Sequence, residues 1–186
     1  MGATFASSLK GRDIWGAWNV TWGTYVSAGG GTGGNIDTAQ GNVNAVFLQE
    51  KGSAAITDMS VVDETFPDLD GSAVTIVTIA NQAGTWVAIG GQKIEAITID
   101  EITVFGVTVF AGKKWVIGTI TDGGDGAVEA VLTRFMNTVE VMKIQPLDSA
   151  VLADSPAIDE TFPESAAGIT LALTASKSYL FLAGGV

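Results

Sequence analysis

The chain has 186 residues, 47% of them apolar, which is enough for a substantial core in one or two domains. Asp and Glu outnumber Lys and Arg by 20 to 9, and the net charge of −11 argues against nucleic acid as a direct partner, because phosphate binding relies on clustered Lys and Arg. With no Cys and no His, a disulfide framework, a thiolate zinc site, a cysteine nucleophile and every Ser-His-Asp arrangement are excluded, which leaves carboxylates, lysines and hydroxyls as the only catalytic groups.

The opening run Met1–Lys10 carries Phe5 and Leu9 but no apolar stretch behind a basic start, so it does not read as a secretory signal. No segment reaches the roughly 18 to 20 uncharged apolar residues of a membrane-spanning helix. The mean hydropathy of +0.36 is therefore assigned to core and interface, and no membrane partner is expected.

Three tryptophans follow, Trp15, Trp18 and Trp22. On a strand Trp18 and Trp22 share one face while Trp15 faces the other way. Side chains of this kind fill a β core, anchor a protein interface or stack on sugars, and the first two readings are preferred. Val20–Val26 alternates β-branched and polar residues and predicts a strand. The run Gly29-Gly30-Gly31-Thr32-Gly33-Gly34 lacks the Gly-Lys-Ser/Thr of a phosphate-cradling loop and predicts a hairpin tip able to reach a neighbour. Trp15, Trp18, Trp22, Gly29, Gly30 and Gly31 are the interface candidates.

Val43–Gln49 predicts a second strand. Val74–Ala80, the turn Asn81–Gly84 and Thr85–Ile89 predict a hairpin. Ile94–Ile99 and Ile102–Phe110 add two alternating runs around Asp100-Glu101, a connecting strand pair within 93–113. Trp115–Thr121, Val139–Gln145, Ile169–Ala175 and Tyr179–Ala183 predict further strands. Between them Val128, Val131, Leu132 and Phe135 recur at helical spacing and allow a short helix over about 126–137.

A shift of 96 residues lays Val43–Pro67 over Val139–Pro163 without a gap. The matches are Val43/Val139, Gln49/Gln145, Ser53/Ser149, Ala54/Ala150, Asp58/Asp154 and the whole of Asp63-Glu-Thr-Phe-Pro67 against Asp159-Glu-Thr-Phe-Pro163. Ordinary composition gives about two such matches in a stretch of this length. The correspondence extends outward through Gly23-Thr24 with Gly118-Thr119 and Gly90-Gly91 with Gly184-Gly185. The expected organisation is all-β, a tandem duplication of a β-sandwich or barrel-like unit. Residues 1–92 form the first unit with an N-terminal arm, and 93–186 the second.

The repeated Asp-Glu-Thr-Phe-Pro is the most specific local feature. As chemistry it would be an acidic pair, yet adjacent strand residues point to opposite faces, poor geometry for sharing an ion or proton. As structure it is a strand-ending corner, in which Asp63 or Thr65, and Asp159 or Thr161 in the second copy, cap backbone amides, Phe66 or Phe162 plugs the core, and Pro67 or Pro163 fixes the exit. Asp68-Leu-Asp70-Gly71 suggests a calcium loop, but the second copy has Glu164–Gly168 there and the twelve-residue pattern is missing. Asp122-Gly-Gly-Asp125-Gly126 reads as a turn. No catalytic, cofactor-binding or metal residues are assigned.

The run Val20–Ser27, the glycines to Gly34, Leu48-Gln49, Val74–Ala80 and Trp86–Gly90 resemble small β-rich, head-associated structural proteins of tailed bacteriophages. The resemblance implies a non-enzymatic virion protein that decorates and cements the capsid, with the major capsid protein or other virion proteins as partner. A homo-oligomer, with a trimer favoured, goes with that reading. A tail or fibre component and a carbohydrate-binding, adhesin-like module are the alternatives.

Overall fold

The computed structural model describes residues 2–51, 59–67, 71–91, 96–99, 101–124, 126–147 and 156–186. Among these the secondary structure is entirely β. The first half contributes β1 (Thr4–Trp15), β2 (Trp18–Ala28), β3 (Gly33–Asp37), β4 (Val43–Lys51), β5 (Val61–Val62), β6 (Ala73–Val77) and β7 (Ala83–Gly91). The second contributes β8 (Ile97–Ile99), β9 (Ile102–Phe110), β10 (Lys113–Thr121), β11 (Ala127–Ala130), β12 (Thr138–Pro146), β13 (Ala157–Ile158), β14 (Glu164–Ser165), β15 (Ile169–Ala172) and β16 (Ser178–Gly185).

Each half pairs a long main sheet with a short one. The first main sheet has the order β1-β2-β7-β4, and the second carries the same order, β9-β10-β16-β12, with β8 and β14 added at its edges. The short sheets are β3-β6-β5 and β11-β15-β13. Local irregularities match as well. Lys10 is left unpaired between Leu9 and Gly11 of β1, as Phe105 is between the β9 residues Val104 and Gly106. Asn44 and Glu140 bulge out of β4 and β12 in the same way. A Cβ on Gly23 would collide with the ring of Trp86, and one on Gly118 with that of Phe181, so each glycine is a seat for the aromatic residue opposite it.

Turn chemistry explains the tight ends. β9 and β10 join through Ala111 and Gly112, whose φ values of 53° and 78° are the two positive angles that a two-residue hairpin needs. The all-β class is as expected, but four local expectations are corrected. Residues 126–137 hold no helix: Val128 and Ala130 alternate inward along β11, and Leu132, Phe135 and Met136 reach the same core from the loop that follows. The runs around Asn81–Gly84 are not a hairpin, since β6 pairs with β3 and β5 whereas β7 pairs with β2 and β4, and the chain crosses between sheets there. The N-terminal arm is strand β1, paired along its length with β2. The glycine match shifts by one, because Gly90 pairs with Val43 as Gly185 pairs with Val139.

Two apolar cores result. One lies between the second main sheet and its short sheet, joining Val104, Val116, Phe181 and Ala183 to Val128, Ile169 and Leu171. The other joins Tyr25, Trp86 and Ala88 to Ile36, Val74 and Ile76 of the first short sheet, and it continues into Phe105, Ile117 and Leu180 of the second half. Paired strand residues share a face, so register separates the layers. Phe47, Val87 and Trp22 lie on the outer side of the first main sheet, as Ile117 and Leu182 do in the second. The two main sheets therefore meet outer side to outer side, with the short sheets outside them.

Candidate functional site

The repeated corner is built from backbone upward. The amide of Asp63 donates to the Thr75 carbonyl at 3.0 Å, and that of Asp159 to the Thr170 carbonyl at the same distance. The return bond comes from the glutamates: Glu64 accepts the Thr75 amide at 3.0 Å and Glu160 the Thr170 amide at 3.3 Å. Each carboxylate thus holds a short-sheet strand, and the Phe66-Pro67 and Phe162-Pro163 bonds are both cis. Phe66 is buried, whereas Phe162 is half-buried against its core. The sequence pointed to the aspartate or the threonine for the capping task; the side chain that accepts the strand amide is the glutamate between them. Asp68 and Asp70 lie outside the described residues, as does Asp125. Asp122 is buried and accepts amides from Gly124, Gly126 and Ser176, which ties its loop to the one before β16.

The interface candidates separate. Trp18 is buried in the junction between halves, and its ring lies 3.4 Å from where a Cβ on Gly106 would stand. Trp15 is paired with Trp18, so it shares that face rather than the opposite one, and it stacks on Phe110 at 5.3 Å. Gly29, Gly30 and Gly31 form a bonded turn from the first main sheet to its short sheet. Gly31 donates to the Ala28 carbonyl, Gly30 donates to Asn81, and the Gly31 carbonyl accepts the Ser27 hydroxyl. Gly29 and Gly30 are exposed at that turn, and of the three tryptophans Trp22 is the exposed one, at 38%, beside Val26 at 48% and half-buried Val87. This is where the outer side of the first main sheet is no longer covered.

The junction itself is polar at one point. Gln145 is fully buried, accepts the Leu48 amide at 2.9 Å and donates to the Ser60 carbonyl at 2.9 Å, stitching β12 to the first half. Ser60 bonds the Tyr25 hydroxyl at 2.9 Å, and its amide donates to Glu50. Burial pushes the Tyr25 hydroxyl up to about 12, partly offset by its bond to Ser60. Burial holds the Lys143 ammonium below its ordinary value, against the attraction of Glu50. A cleft of about 390 Å³ between the halves is lined by Asp63, Glu64, Phe66, Thr119, Thr121 and Ser178. Its carboxylate and hydroxyl groups stay below the three converging acids of a metal cluster, and none occurs among the described residues.

A larger groove of about 930 Å³ opens at the end of the first sandwich, between β1, β2 and the loop from β3 to β4. Sequence reasoning missed it, since no motif marks it. Comparison of the chain with family models, with curated proteins and with solved structures finds no match in any of the three.

Proposed function

We propose that the protein is a non-enzymatic structural component of a virion that decorates the outside of a capsid shell and cements it. The observation that carries this reading is the uncovered part of the first main sheet, where Trp22, Val26 and Val87 form an apolar strip on an otherwise acidic chain. An indole with an open face is a frequent anchor in protein interfaces, and a sheet face is rigid enough to present it without ordering cost. The major capsid protein is the partner in this reading, and the resemblance of the strands to head-associated phage proteins points the same way. A homo-oligomer, with three copies favoured, places the strip in several equivalent positions over a shell. The net charge of −11 keeps free copies apart and favours a more basic docking surface.

Imaging of particles that carry the protein, combined with native mass spectrometry of the purified chain, tests the reading. Hundreds of copies on the shell, and occupancy that falls when Trp22→Asp is introduced, are expected. A few copies at a tail tip, or full occupancy with Trp22→Asp, would overturn it.

A further inference from the structure

The two main sheets differ along one edge. In the second half β9 carries β8 on its open side, with Ile99 opposite Ile102, Thr98 opposite Thr103 and Ile97 opposite Val104. The Thr98 and Thr103 hydroxyls bond at 3.1 Å, and Ile97 and Ile99 pack against the core. That pairing stops at Val104, directly before the bulge at Phe105. In the first half the matching residues are Ser7, Ser8 and Leu9, directly before the bulge at Lys10. Among the described residues no strand lies beside them, since β1 pairs with β2 alone. Leu9 is 44% exposed, whereas Val104 is buried.

The free edge has two parts. From the bulge onward β1 bears Lys10, Arg12 and Asp13, and charges of this kind keep a strand edge from pairing. Thr4–Leu9 bears neither charge nor proline, so its unpaired amides and carbonyls are open to an added strand. Phe5, Ser7 and Leu9 pair with Ser27, Tyr25 and Gly23 and share the inward side of the sheet, while Ala6 and Ser8 lie on the other side. Phe5 stacks on Tyr25 at 6.4 Å. The stretch is therefore symmetric in chemistry about Ser7. Two residues away in either direction stands a large apolar side chain on the inward side, and one residue away a small one on the outward side.

We propose that this edge takes the β1 strand of a second copy, antiparallel, about a two-fold axis at Ser7. In that register Leu9 meets Phe5 of the second copy on the inward side, Ser8 meets Ala6 on the outward side, and the two Ser7 residues face each other across the axis. Each copy then gives the other the apolar neighbour that Ile97 gives Val104 within the chain. A two-fold contact needs one surface that complements itself, and Thr4–Leu9 does so. The absence of charge also selects this stretch, because the net charge of −11 sets two copies against each other wherever acidic residues meet. The contact uses neither the Trp22 strip nor the shell. It closes at two copies, so it links three-copy assemblies to one another rather than building them.

The chain has no cysteine, so single introduced cysteines report the contact without background. Purified Ser7→Cys, under mild oxidation, is expected to form a disulfide-linked pair, because opposed residues of an antiparallel pair have Cα atoms about 4.5–5.5 Å apart, within disulfide reach. Thr85→Cys, exposed on the outer side of β7, is the control and should stay unlinked. The register is read from Ala6→Cys and Ser8→Cys, which should cross-link when mixed and not when alone, since each stands two residues from its own copy across the axis. Adding Ser7→Lys to both members of that mixture should abolish the link, with the melting midpoint of each chain unchanged. Ser7→Cys linking no faster than Thr85→Cys, Ala6→Cys linking to itself as readily as to Ser8→Cys, or a mixed link that survives Ser7→Lys would overturn the proposal. Failure here leaves shell attachment untouched, because that is read from particle occupancy and Trp22.

Discussion

Gln49 and Gln145 occupy the same register position, each on the β strand that edges the core of its main sheet, opposite Thr85 in one half and Leu180 in the other. Gln49 is exposed and, among the described residues, donates to the neighbouring Glu50 carbonyl at 3.4 Å. Gln145 is fully buried and bonds two backbone groups of the first half. The same contrast runs through the corners: Phe66 is buried and lines the cleft with Thr119, Thr121 and Leu147 of the second half, whereas Phe162 is half-buried against the core of its own half. Identical residues on matching strands thus acquire different weight because the halves do not cover each other equally. Repetition of a sequence fixes local geometry, not environment.

The largest effect should separate the two phenylalanines. Phe66→Ala is expected to cost about 4 kcal/mol in denaturant unfolding, and Phe162→Ala about 2 kcal/mol, because a half-buried ring leaves less cavity behind. Equal losses would break the comparison at its root.

The glutamines sharpen it. Gln145→Leu strands the Leu48 amide and the Ser60 carbonyl, for about 3 kcal/mol together, while Gln49→Leu should stay within about 0.5 kcal/mol. Chemical denaturation of both variants, with the wild type alongside, measures the difference.

Alkaline titration reads the junction from the other side. The Tyr25 hydroxyl titrates near 10 when unfolded and at about 12 when folded, so the folded state holds its proton longer. Its contribution is complete below pH 10 and is lost as pH rises toward 12, by roughly 2–3 kcal/mol. Lys143, whose ammonium is disfavoured by burial, works in the opposite sense, since its penalty is relieved as it deprotonates. Tyr25→Phe should remove the tyrosine part of the fall in stability between pH 10 and 12, as seen in unfolding curves at stepped pH. A slope that survives the substitution would assign it elsewhere.

The smallest expected effect is one where the halves agree. Glu64→Gln and Glu160→Gln each weaken one bond to a strand amide, for about 1 kcal/mol apiece in thermal unfolding. A large difference between them would mean that the corner, too, depends on its surroundings.

The sequence by itself determined the β class, the positions of most long strands, the correspondence of Gly23 with Gly118, and the recurrence of Asp-Glu-Thr-Phe-Pro in the two halves. These follow from alternation, turn residues and near neighbours in the chain, all of which are local. Helical spacing at Val128, Leu132 and Phe135 misled because a strand followed by an inward loop can bring the same residues to one core. The hairpin at Asn81–Gly84 misled because two adjacent strands joined by a short turn may enter different sheets, and period alone does not say which. Tertiary structure alone decided that Trp18 is covered while Trp22 is open, that Gln145 bridges and Gln49 does not, and that a groove stands where the second half has Phe135 and Met136. Each of those outcomes depends on which sheet face meets which, and that is set by contacts between residues far apart in the chain, beyond the reach of any local pattern.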